Sequence, residues 1–577
     1  MVMRWGLSFG GAGIVGLVLG CSLLVQASAA KPARPKLAIF ICFDQMRGDF
    51  LERWRDLYSK DGLRRLTDEG AWFTNCHYPF AMTMTGPGHA TCATGCSPDV
   101  HGIAANEWYD RTARREQYCA GSIRYSQVPP ATPSSSGDKD KLPSSKTYGI
   151  AAETLLAPTL GDALKAATGS KGKVVALSLK DRGAVLPAGK KADAVYWVDK
   201  EGRFVTSTYY RDRVHGWVEE INQSTLRLSW LNTQWDKLRR DLDYEKFSGP
   251  DEAKGEGKGA FQGVSFPHPF DGGPKKLLNV YYAALANSPQ GNEYLLEVTK
   301  RAILAEKLGQ RDEPDFLSVS FSSNDLVGHC WGPDSQEVLD ITLRSDRIIR
   351  DLLLFLDKTV GKDNYIIALS ADHGICPLPE VARSRGKKAA RVSPRQFFAG
   401  LEEHLNKQFP PQDIRLEDEP TPKGWIEAAL SNMLYLNRKL IADRKATVPQ
   451  VSDEVVRWLQ KQPEVLTAFT HEQLSKADAK TPMDQRVRRS FHPERSGDVT
   501  VVLQPYHFFS SQLTGTTHGS PHDYDTHVPL VVFGPNVKPG RRNHRVSPEA
   551  VAVILADALG IPAPAKAAVK VPEGLWR

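Results

Sequence analysis

The chain has 577 residues, of which 41% are hydrophobic and 24% charged, with a formal net charge of +7. Those fractions belong to an ordinary globular protein, and a charge this modest, not gathered into an arm, removes any need for a nucleic-acid platform. The length is too great for one small core and fits a large α/β enzyme with insertions or several units.

The N-terminus predicts export. Arg4 is the only charge before an apolar and small-residue stretch from Trp5 to Val25, Ala27-Ser28-Ala29 follows as a cleavage site, and Lys31-Pro32 opens a polar segment. That is the layout of a secretory signal peptide over 1–30, placing the mature chain in the periplasm or outside the cell with no stable membrane anchor. A retained anchor is the alternative, but glycines interrupt the stretch. Val18-Leu19-Gly20-Cys21 resembles a weak lipoprotein box, and the apolar residues continuing after Cys21 argue against cleavage there. Removal of Cys21 leaves Cys42, Cys76, Cys92, Cys96, Cys119, Cys330 and Cys376. An odd number means at least one free thiol or a pairing between chains.

In chain order, short apolar runs recur at Leu37 to Phe43, Val174 to Ser178, Phe316 to Phe321, Tyr365 to Leu369 and Val528 to Phe533. Continuous rather than alternating, they suit strands buried on both faces. Helical patterns such as Leu339 to Leu356 lie between them, which predicts an α/β sheet with helices on both sides. Gln127 to Lys146 reads as an exposed loop. Two stretches break the alternation: the Trp- and Tyr-rich residues near 205–300, and those near 385–495, whose helices run from Pro394 to Phe409 and from Ser452 to Lys461. Both read as insertions. The basic cluster from Arg383 to Arg391 reads as a solvated loop, with attraction of a polyanionic substrate as the alternative.

Polar residues follow the apolar runs: Asp44, Lys180 and Arg182, Asp325, and Asp372-His373. In open parallel sheets ligands bind at the carboxyl ends of the strands, so separate segments aim chemistry at one edge. Asp325 and His329 have the spacing of one helical face, Gly374 can turn the chain so that Asp372 and His373 reach one ion, and His518 lies in a Gly- and Thr-rich loop. A capping aspartate or a satisfied histidine is the plainer alternative at each. Together they offer three carboxylates and three imidazoles, enough for two metal ions. Thr85 sits where a helix N-cap is expected, and a helix N-terminus favours a phosphoryl anion. In extended chain, Lys180 and Arg182 would share a face while Asp181 turns away.

Phe43-Asp44-Gln-Met-Arg-Gly-Asp49, Thr83-x-Thr85-x-Pro-Gly-His89, Thr94-Gly95, His101-Gly-Ile and Asn106-Glu-Trp-Tyr109 resemble the nucleophile region of the alkaline phosphatase superfamily. Ser178-Leu-Lys-Asp-Arg182, Ser370-Ala-Asp-His-Gly374 and Thr516-Thr-His-Gly519 complete the pattern across nearly the whole mature chain. Within the superfamily the chain resembles the monomeric bacterial alkaline phosphatases of the PafA type. The resemblance implies an α/β/α sandwich with a mostly parallel central sheet and inserted cap segments, as one catalytic domain over 31–577. It implies two zinc ions, one on Asp325, His329 and His518 and the other on Asp44, Asp372 and His373. His527 is a rival ligand, disfavoured because it lacks the His-Gly context of His518. Thr85 would be the nucleophile, passing through a phosphothreonine, and Asn106, Lys180 and Arg182 would contact the nonbridging phosphoryl oxygens of small phosphate monoesters.

Phosphodiesterases and nucleotide pyrophosphatases of the superfamily share the threonine, the asparagine and the metal ligands. Lys180 with Arg182 discriminates, because a monoester carries more negative charge than a diester. A sulfatase would need arginine where Cys96-Ser-Pro-Asp-Val100 has valine. Cofactor-independent phosphoglycerate mutases are expected in the cytoplasm, against the export signal. A secreted metal- or polyanion-binding protein without catalysis is the reading from another class, and no expected catalytic position is missing to support it.

Overall fold

The computed structural model describes residues 34–131, 149–411, 424–476 and 479–577. The predicted signal peptide and most of the loop expected from Gln127 to Lys146 lie outside them. A ten-stranded sheet organises the described chain. In spatial order its strands are Gly540–Arg542, Ala71–Phe73, Leu530–Phe533, Tyr365–Ser370, Leu37–Phe43, Asp315–Phe321, Val174–Ser178, Ala194–Val198, Phe204–Ser207 and Gln127–Val128. The five strands from Tyr365–Ser370 to Ala194–Val198 are mutually parallel. Four of these five are buried along their whole length, which is why they read as unbroken apolar runs. Each buried Leu, Ile or Phe among them contributes about 1.5–3 kcal/mol against the cost of ordering the chain.

Leu530–Phe533 pairs antiparallel with Tyr365–Ser370 and with Ala71–Phe73. That direction matters for the site. An antiparallel strand starts at the edge where its parallel neighbours end, so the segment leading into it, which carries His518, arrives at their carboxyl ends. Helices Thr85–Thr94, Leu160–Ala167, Asp181–Ala188 and Ala550–Leu559 pack together against the sheet, and Pro289–Ala305, Ser323–Trp331 and Gln336–Thr359 form a second packed group.

The two irregular stretches differ in kind. Val218, Ile221, Trp235, Tyr244 and Phe270 join the same hydrophobic core as the central sheet. Trp235 Nε1 and Tyr244 Oη both donate to buried Asp340 of the long helix, at 2.7 and 2.6 Å. By contrast, Ile426–Leu430, Met433–Leu436, Val499–Leu503 and Val465–Thr470 form a separate antiparallel sheet. With helices Pro394–Gln408 and Val448–Leu459 it encloses its own core, including Leu401, Leu405, Trp425, Val451 and Val455. The basic cluster is not wholly a solvated loop: Arg385 pairs with Asp334 and Arg391 with Glu380, each at 2.8 Å. All seven cysteines among the described residues are free thiols. No helix among the described residues is long and apolar enough to cross a membrane.

Candidate active site

Asp44 follows the central strand Leu37–Phe43 and is wholly buried. Asp325 opens helix Ser323–Trp331 directly after its parallel neighbour, and His329 stands one turn later with Nε2 3.2 Å from Asp325 Oδ1. Asp372 and His373 come just past Tyr365–Ser370, where the chain has left strand geometry and both side chains can turn to one place. His373 Nε2 lies 3.5 Å from Asp44 Oδ1 and 3.5 Å from Asp372 Oδ2. Nε2 of His518 is 3.6 Å from Asp325 Oδ1, and its ring stacks on that of His373 at 3.5 Å. All six residues proposed from sequence as metal ligands therefore converge on one volume.

The tautomers are set by the backbone. Nδ1 of His329 bonds the Thr516 carbonyl at 2.7 Å, Nδ1 of His373 the Gly374 carbonyl at 2.9 Å, and Nδ1 of His518 the Thr83 carbonyl at 2.9 Å. A carbonyl only accepts, so each Nδ1 carries the proton and each Nε2 offers its lone pair to the site. Asp44 Oδ1 and Asp372 Oδ2 are buried and accept no hydrogen bond. The latter lies 3.0 Å from His89 Nδ1, but that N–H is directed at the Thr85 carbonyl, 2.9 Å away. Orphaned carboxylate oxygens beside inward-facing imine nitrogens form a donor set that fits zinc or a similar divalent ion. Asp44, Asp372 and His373 make one possible metal triad, and Asp325, His373 and His518 a second. His373 belongs to both, so the ligands divide less cleanly than the spacing predicts.

Thr85 is the first residue of helix Thr85–Thr94 rather than its cap, which is Met84 in extended conformation. Its hydroxyl is therefore not spent on the helix and points into the site, with Oγ1 3.3 Å from His373 Nε2. Asn106 Oδ1 accepts from Gly86 N–H at 2.7 Å, which fixes the amide beside the same helix end. The expectation of an extended Lys180–Arg182 segment is corrected. Lys180 caps helix Asp181–Ala188, and Arg182 sits in its first turn. They still converge, because a helix start splays consecutive residues around one end. Lys180 Nζ bonds Asp44 Oδ2 at 2.8 Å and also reaches Asp325 Oδ2, while Arg182 Nη2 is 3.4 Å from Thr85 Oγ1. His527 lies elsewhere, bonded to the Thr74 carbonyl at 2.9 Å and stacked on His77.

The profile of the type I phosphodiesterase/nucleotide pyrophosphatase family matches residues 38–525. The chain belongs to that family. It is 33% identical over 532 residues to alkaline phosphatase PafA of Elizabethkingia meningoseptica, covering 91% of this chain and 92% of that protein. It is also 33% identical over 518 residues to alkaline phosphatase PhoV of Synechococcus elongatus, covering 89% and 87%. The crystal structure of wild-type PafA matches with a TM-score of 0.84 at 30% identity, over 95% of this chain and 100% of that one. The fold is thus the alkaline-phosphatase-like α/β fold.

Electrostatics in this family member suit a cation. Burial pushes the Asp44 carboxyl well above the usual carboxylate range, and adjacent Asp372 adds to it, opposed by Lys180. A divalent ion would relieve that repulsion. Burial also holds the His518 imidazole well below its ordinary range, with His373 and His329 crowding it, so it is neutral as a ligand must be. Three participants escaped the sequence reading. Gln45 donates its backbone N–H to Asp372 Oδ1 at 3.0 Å and its side-chain amide to Asp325 Oδ1 at 2.7 Å, from a left-handed backbone (φ 71°) that its position after Asp44 does not reveal. His89, noted only as part of a motif, bonds Ser320 Oγ at 2.7 Å as well as Thr85. Tyr118 contacts Arg182 from a hairpin distant in sequence.

Proposed function

We propose that this protein is an exported, monomeric phosphomonoesterase that hydrolyses small phosphate esters through a phosphothreonine on Thr85. Two zinc ions would be held by Asp325, His329 and His518 and by Asp44, Asp372 and His373. Bound there, they would supply Lewis-acid charge that acidifies the Thr85 hydroxyl and stabilises the departing oxygen. The observation that carries the reading is the placement of Thr85 Oγ1 at a helix N-terminus, between His373 Nε2 at 3.3 Å and Arg182 Nη2 at 3.4 Å.

In that position Thr85 Oγ attacks phosphorus in line as the bond to the ester oxygen breaks, the hydroxyl proton passing to solvent water while the departing ester oxygen takes a proton from it. Water then attacks the phosphothreonine from the side the leaving group vacated, releasing phosphate and restoring the hydroxyl. Lys180, Arg182 and the Asn106 amide bind the nonbridging oxygens, and two cations there match the charge of a monoester. The naming of PafA and PhoV as alkaline phosphatases supports the same substrate class. The family profile, which is that of phosphodiesterases, favours diester hydrolysis as the second reading.

The test compares kcat/KM for matched aryl phosphate monoester, diester and sulfate on zinc-loaded mature protein. A monoester preference of about a hundredfold or more, abolished in Thr85→Ala, is expected. A diester preference would move the protein to the phosphodiesterase branch and demote Lys180 and Arg182 to structural charges.

A further inference from the structure

An arginine that clamps a phosphoryl group must be held in one orientation, because its free side chain has about 2 kcal/mol of rotamer entropy to lose. Arg182 has two side-chain hydrogen bonds: Nη2 to Thr85 Oγ1 at 3.4 Å and Nη1 to Tyr118 Oη at 3.3 Å. Its Nε is buried without a partner. Tyr118 is 4% exposed and its ring packs in a core with Trp108, Val185 and Leu186, so the hydroxyl cannot drift. That hydroxyl donates to Asp181 Oδ1, which also accepts the Arg182 backbone N–H at 2.5 Å. With its proton committed to the carboxylate, Tyr118 presents a lone pair to the guanidinium.

The geometry points to Tyr118 as a positioning residue that aims Arg182 at the phosphoryl group and thereby sets the preference for doubly charged monoesters. The inference rests on the phosphomonoesterase reading. Without the Tyr118 hydroxyl, the Asp181 carboxylate loses a donor and becomes the natural partner for the guanidinium, drawing it from Thr85. The same hairpin end also holds Asn106: Glu107 pairs with Tyr118 across the hairpin, and Cys119 N–H donates to the Asn106 carbonyl at 2.8 Å. One small element therefore aligns two of the groups expected to bind the nonbridging oxygens.

Tyr118→Phe in the zinc-loaded enzyme tests this. Monoester kcat/KM should fall about tenfold and inhibition by inorganic phosphate weaken in proportion, while diester kcat/KM changes less than about threefold. In an Arg182→Ala background the same substitution should have no further effect on the monoester. Equal losses on monoester and diester, or an undiminished loss in the Arg182→Ala background, would overturn the inference. The wild-type ratio of monoester to diester turnover judges the phosphomonoesterase reading separately, since it is measured with Tyr118 in place and asks only which ester is preferred. Should thermal melting show that Tyr118→Phe does not fold, Asp181→Ala frees the Tyr118 hydroxyl from the carboxylate that orients its proton, so that the hydroxyl no longer presents a lone pair to Arg182, and must show the same dependence on Arg182.

Discussion

A methyl group on Gly88 would stand 2.0 Å from the Asp372 carbonyl oxygen. The nucleophile helix thus lies directly on the turn that presents Asp372 and His373, and only a residue without Cβ permits that approach. Gly88→Ala should cost about 1–3 kcal/mol of stability through this overpacking. It should also depress turnover, because the shift falls between Thr85 and the proposed metal ligands. Melting temperature and kcat/KM measured together check it, and a variant with both unchanged would mean that the two segments are not in contact. At this scale much of the candidate site is legible: Asp44, Asp372 and His373 from residue type just past an apolar run, Asp325 with His329 from helical spacing, and His518 from its Gly- and Thr-rich loop. Gln45 was not, since a left-handed backbone at a non-glycine residue leaves no trace in composition.

Helix Gln336–Thr359 carries Glu337, which is buried, as is Glu256 of the 250–263 segment, and the field of Glu337 reaches Glu256. Glu337 Oε1 meets His268 Nε2 at 3.1 Å, and one oxygen of each glutamate is buried without a partner. Burial, with the field of Glu337 added, raises the Glu256 carboxyl to about 9. The folded state therefore holds a proton that an unfolded glutamate releases near its ordinary value. The stability Glu256 contributes is complete at acid pH and is lost as pH rises from about 5 to about 9. Glu256→Gln should flatten the fall in stability over that window, read by thermal or urea unfolding at several pH values. Parallel curves for the two proteins would sink the assignment. Elements also set the limits of sequence reading. The i,i+4 spacing of Asp325 and His329 placed both on one helical face correctly, because helical periodicity is local. The Lys180–Arg182 segment turns into a helix rather than continuing extended, because the strand-to-helix transition at that point depends on packing.

Across the whole molecule the proposed metal ligands come from residues 44 to 518, so bound ions would tie together segments separated by most of the chain. Chelation should lower the melting temperature by about 5 °C or more, with recovery on adding zinc, as expected when a ligand binds only the folded state. Identical melting with and without chelator would count against the metal centre. Four of the five parallel strands, the helices between them and the proposed nucleophile and metal ligands are legible in the sequence, because burial on both faces and helical period write themselves into local composition. Only tertiary structure decided that Leu530–Phe533 runs antiparallel and so delivers the His518 loop to the reactive edge. It alone decided that the 205–300 segment shares the main core while Ile426–Leu430 and its partner strands form a second one. It likewise brought Tyr118 to Arg182 across 63 intervening residues. Such pairings rest on contacts between segments distant in the chain, whose closure no local pattern records.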